Sequence, residues 1–241
     1  LGTVYGVDSY PATYSIVEEL QETSLYFFII ILVFYSGELV WKERGAKLNL
    51  IYDATPMSSF INLAGKNIGL NLIYVALMLA LISSGIIFQT LNGYYKYEFS
   101  VYFSGFFFEI LPSLALLTFV AFFVQALVNH KFVGIMVVII LFISTIALGV
   151  FGFDHDLYFF GGRSLGTYSD MNGYGHFLKP YLFVKSYWFL FGSLLLIVGS
   201  FFMVRGTETN FIKRLKTAKE RISKPLFIFG GVITTLFILL G

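Results

Sequence analysis

The chain contains no cysteine. A disulfide framework and a thiolate metal site are both excluded. Charge is scarce: 12% of the 241 residues are Asp, Glu, Lys or Arg, about half of what soluble domains carry. The net charge of +2 is too small to argue for nucleic acid. The three histidines, His130, His155 and His176, are scattered, and no H-E-x-x-H motif occurs. The phosphate-binding pattern G-x-x-x-x-G-K-[ST] is absent as well. Phe60 stands where its first glycine belongs before Gly65-Lys66, and Asn67 follows the lysine. Any nucleotide hydrolysis that the chain depends on must therefore come from another polypeptide.

What is abundant is hydrocarbon. Hydrophobic residues make up 57% and aromatic residues 20%, with a mean hydropathy of +0.80. A soluble domain of this composition would expose large apolar patches and aggregate, so the composition predicts a membrane protein. Charge-free runs mark the spans: 24–41, interrupted by Glu38, then 67–90, 110–128, 132–153 and 186–204, while 226–241 begins a sixth. About 20 apolar residues cross the hydrocarbon core as a helix, which satisfies its own backbone. The expected fold is all-α: a polytopic transmembrane bundle with five complete spans and the start of another.

Orientation follows from basic residues. If each run crosses once, the connections 42–66, 129–131 and 205–225 share a side. They hold twelve of the sixteen Lys and Arg, leaving Lys96, Arg163, Lys179 and Lys185 on the other. The positive-inside rule makes the basic side cytoplasmic. Residues 1–22 are then the extracytoplasmic end of a loop. Residues 23–204 form the transmembrane domain, with a cytoplasmic loop at 42–66 and an external loop at 154–185. Residues 205–225 form a basic cytoplasmic linker, and 226–241 open a further unit. Leu1 is not an initiator Met and the chain stops within an apolar run, so it reads as a piece of a longer protein.

The stretch GELVWKERGAKLNLIYDATP (37–56) puts Lys42, Glu43, Arg44 and Lys47 into six positions. Each would cost roughly 2.5–3.5 kcal/mol at the bilayer centre, so the chain leaves the membrane near Trp41. Beyond it Leu48, Ile51 and Tyr52 recur at helical spacing among polar residues, which predicts a short amphipathic surface helix ended by Pro56. It is either a plain tether between spans or a docking helix that passes force from a cytoplasmic partner.

The segment Glu43-Arg44-Gly45, Ala54-Thr55-Pro56 and Gly65-Lys66 resembles the cytoplasmic loop of type-2 ABC exporter permeases, where an ER-x-G, TP and GK series lies between the second and third of six spans. The stretches FFFEILPSLALLTFVAFFVQALVNHKFVG (106–134) and YSDMNGYGHFLKPYLFVKSYWFLFGSLLLIVGSFFMVRGTE (168–208) are similar to one branch of it. In that branch, very long bacterial proteins, duplicated permease domains precede a zinc aminopeptidase-like domain. The resemblance covers nearly the whole chain and implies that the family's first span and the peptidase are missing. It further implies a permease in the bacterial cytoplasmic (inner) membrane, driven by a separate ABC ATPase subunit that holds ATP and Mg, and paired with a second permease domain. The chain itself would bind no cofactor. Glu43, Arg44, Gly45, Leu48, Ile51, Tyr52, Thr55 and Pro56 would form the coupling helix that docks on the ATPase. The alternative is a structural membrane anchor for a fused aminopeptidase-like domain. An ion-coupled carrier ranks last, because no later span offers an ionisable residue at its centre.

Other stretches carry weaker signals. Lys213, Arg214, Lys216, Lys219 and Arg221, interleaved with Phe211, Ile212, Leu215 and Ile222, predict a basic amphipathic helix on anionic lipid or against the ATPase. Asp154, His155 and Asp156 invite a metal, but adjacent residues in an extended segment point apart, and a solvated turn is the simpler reading. The glycine-rich stretch 161–180, with Tyr168, Tyr174 and Phe177, is an external gate or partner surface, or only a cover over span ends. Glu109, three residues before Pro112, is expected at an interfacial helix start. Glu38 is expected to pair with Lys42 one turn on.

Overall fold

The structure is a computed structural model. It describes residues 3–4, 7–8, 10–48, 51, 55, 57–128, 130–150, 160–162, 164–166, 169, 172–203 and 223–241. A two-residue ladder, β1 (Thr3–Val4) and β2 (Val7–Asp8), precedes the helices. The other named elements among the described residues are helices: α1 (Thr13–Gly45), α2 (Ser59–Leu91), α3 (Phe99–Leu127), α4 (Lys131–Val150), α5 (Gly175–Phe202) and α6 (Lys224–Leu240). Four of these are long and apolar enough to cross a membrane: α1, α2, α3, and α5 from Phe177.

The helices outrun the charge-free segments. α1 has 33 residues and begins eleven positions before Ser24, carrying exposed Glu18, Glu19 and Glu22. At 1.5 Å per residue it is about 50 Å long, against a hydrocarbon core of about 30 Å. Residues 13–22 are therefore helix and not loop. Charge marks where a chain leaves hydrocarbon, whereas the helix ends only where backbone bonding does.

α3 is the central element and packs on α1, α2, α4 and α5; α6 packs on α5. Solvation is inverted relative to a soluble domain. Ile68, Leu72 and Phe27 face outward at 59%, 62% and 65% exposure, while Asn67, Gln89, Thr118, Gln125 and Lys185 are buried. Apolar side chains outside and polar ones bonded between helices suit a lipid surround. Asn67 Nδ2 donates to Thr118 Oγ1 at 3.0 Å, joining α2 to α3. Gln89 Nε2 donates to Thr13 Oγ1 at 3.1 Å, and Tyr102 donates to Gln89 Oε1 at 2.9 Å, tying α1, α2 and α3 at the opposite end from Gly45.

Pro112 does not begin a helix. Residues Phe99–Leu127 run through it, with a π-helical segment at Ser104–Ile110. Proline has no N–H to give the carbonyl four residues back, which is Phe108. That carbonyl instead accepts the Tyr181 hydroxyl of α5. The neighbouring helix repairs the bond that proline removes, as hydrocarbon requires.

Candidate functional site

One end of the bundle gathers the ends of five helices. Trp41 Nε1 in α1 donates to Gln125 Oε1 near the end of α3 at 2.9 Å. Lys131, the first residue of α4, is ion-paired with Glu38. This corrects the expected Glu38–Lys42 pair: the partner is a neighbouring helix's lysine, while Lys42 points to the surface. Lys66, two turns into α2, lies 3.0 Å from the Glu43 carboxylate. Met203, just past α5, shares a small cleft with Trp41, Arg44 and Gln125. The basic connections at 42–66 and 129–131 and the foot of α5 thus meet at one end.

Gln125 is wedged between two glycines. A Cβ added to Gly37 would lie 3.0 Å from Gln125 Nε2, and one added to Gly134 would lie 2.6 Å from Gln125 Cδ. Small residues here let α1 and α4 close around the amide, which then reaches Trp41.

Among the residues expected to couple, Glu43 bonds across to α2 and Arg44 lies 5.9 Å from the Trp41 ring. Gly45 ends α1, with open space where a Cβ would stand. Lys47 takes a left-handed φ of 57°, reversing the chain, and the Leu48 amide returns to the Glu43 carbonyl at 2.8 Å. Leu48 and Ile51 are 46% and 67% exposed, and Thr55 is exposed. The loop thus carries apolar groups outward from a base clamped to two helices. Tyr52 and Pro56 lie outside the described residues, as do Lys213, Arg214, Lys216, Lys219 and Arg221, and Asp154, His155 and Asp156. Among the described residues no cluster of His, Cys, Asp or Glu is arranged to hold a metal.

The other end holds a polar cluster. Lys185, counted from sequence among the outer loop charges, is buried in α5 at 5% exposure. Its ammonium donates to the Gly161 carbonyl at 2.6 Å and to Ser113 Oγ of α3 at 2.7 Å, and it lies 5.3 Å from the Tyr181 ring. Glu109 faces the same region, in bonding reach of the Gln21 side chain and the Leu165 backbone, with the Lys185 charge acting on it. Gln21 also donates to the Gly105 carbonyl in the π-helical turn at 2.7 Å. An acid inside the bundle and a cation on the facing helix together hold Gly161 and Leu165 against the spans. The available sequence signal was the spacing of Tyr181, Val184 and Lys185, which share one buried face of α5. Of the aromatic residues in the 161–180 stretch, Phe177 lies 3.0 Å from where a Cβ on Gly166 would stand, Tyr174 precedes α5, and Tyr168 is outside the described residues.

No family model, curated protein or solved structure matches this chain.

Proposed function

We propose that the chain is the membrane-spanning permease component of an ATP-binding cassette exporter of the type-2 kind. It moves substrate, or transmits force, when a separate ATPase subunit hydrolyses ATP. In this reading α4, 20 residues and about 30 Å long, is a further complete span, giving five, and α6 opens a second permease unit. The setting is the bacterial inner membrane, with ATP and Mg on the partner and a second permease domain in the same chain or another.

The observation that carries the reading is the Glu43–Lys66 ion pair at 3.0 Å. It joins the feet of α1 and α2 below a loop whose Leu48 and Ile51 side chains stand exposed. A partner that pushes on that loop moves two spans together instead of bending a slack connection. Work is transmitted only if the partner binds one arrangement of the spans better than another, and a clamped base is what lets the spans report that difference.

The test is cysteine crosslinking from position 48 or 51 to a co-expressed ABC ATPase. Crosslinks whose yield changes with nucleotide support the role. Failure from every position of 43–56 refutes it.

A further inference from the structure

A cavity of about 280 Å³ lies between α1, α3, α4 and α5. Leu32, Val138 and Phe191 line it near the middles of their helices, and Val120 lines it from the second half of α3. Of the described lining residues only Ser144 is polar, and its hydroxyl is already spent on the Leu141 carbonyl at 2.7 Å. Water needs several polar partners to occupy such a space and finds none. A polar solute would leave its own groups unpaired there. An empty void would forfeit the dispersion contacts of all four walls.

The cavity communicates with the outer surface of the bundle. Leu141 lines it and is also 41% exposed, on the same helix as Ile140 at 63%. In a bilayer that face meets hydrocarbon. At the external end the space is bounded by Phe160, whose ring lies 4.9 Å from Trp188 and 6.1 Å from Phe191. Phe160 is held by its neighbour. Gly161 has φ +68°, a Cβ on it would lie 2.6 Å from Leu116 Cδ1, and its carbonyl accepts from buried Lys185.

We propose that this cavity holds one acyl chain of a membrane lipid, entering past Leu141 and stopped at the outer end by Phe160. The dry lining, the position at mid-helix and the opening toward the lipid-facing side of α4 select a hydrocarbon chain over any polar cargo. The site does not depend on the coupling role of residues 43–56.

The test uses the whole chain in vesicles of phosphatidylethanolamine and phosphatidylglycerol that contain a phosphatidylcholine with a mid-chain diazirine. After photolysis, adducts are mapped by peptide mass spectrometry. The expected result is adducts on Val120 and Phe191 as well as on outward-facing Ile68 and Leu72. Val138→Phe, or Leu195→Phe from the opposite wall should the first variant fail to fold, lowers the cavity adducts about tenfold by filling the space and leaves those on Leu72 unchanged. Adducts confined to Ile68 and Leu72 in the unaltered protein overturn the proposal. So do cavity adducts that persist in the filled variants.

Discussion

Replacing Gly134 with Ala adds one methyl group at a place where the structure has none to spare. The new Cβ would stand 2.6 Å from Gln125 Cδ, while the other side of the amide is confined by Gly37, whose own Cβ position lies 3.0 Å from Gln125 Nε2. Gln125 must move, and its Oε1 is what accepts the Trp41 indole N–H at 2.9 Å. Overpacking of this kind costs roughly 1–3 kcal/mol. The lost interhelical bond adds about 0.6 kcal/mol by the average for membrane helices. The expected total is about 2–4 kcal/mol, measured by unfolding the purified protein with denaturing detergent while following tryptophan fluorescence. Gly69→Ala is the control, since nothing lies within 4 Å of its Cβ position; there the better helix former should be neutral or stabilising by up to about 1 kcal/mol. The decisive arm is the double variant Gly134→Ala, Gln125→Ala. Shortening the glutamine removes the clash, so the pair should be less destabilised than the sum of the singles by about 1 kcal/mol or more. Strict additivity would refute the wedge argument.

Three further outcomes are expected. Glu43→Lys sets two cations at the base of the 46–58 loop and lowers stability by about 0.5–1 kcal/mol, and adding Lys66→Glu restores it, as a double-mutant cycle in thermal unfolding will read. Lys185→Met leaves the Gly161 carbonyl and Glu109 without their cation; losing two bonds to a charged group should cost about 2–4 kcal/mol and lower the thermal midpoint, whereas Lys179→Met, at an exposed position of the same helix, stays within about 0.5 kcal/mol. A single cysteine at position 47 should resist a membrane-impermeant maleimide added to intact cells, and one at position 96 should react with it; the reverse result would invert the topology on which the coupling proposal stands.

The membrane class and the approximate placement of each helix were legible without coordinates, because both follow from solvation, and solvation is written locally. A run such as 67–90 declares itself apolar whatever it packs against. Helix ends were less legible. α1 continues through Glu18, Glu19 and Glu22, since a charged residue forbids hydrocarbon and not helix. Pro112 misled for a similar reason: its missing bond can be replaced by a neighbour, and Tyr181 supplies that replacement from 69 positions away in the chain.

Amino-acid order by itself determined that this chain is helical and apolar enough to face lipid, because each of those properties depends on a residue and its near neighbours. Tertiary structure alone decided which polar groups meet. It turned Lys185 from a loop charge into a buried bond donor, gave Glu38 to Lys131 in place of Lys42, and closed Gly37 and Gly134 around Gln125. Those outcomes depend on distances between helices far apart in the chain, and a pairing across such a distance leaves no period in the sequence to read.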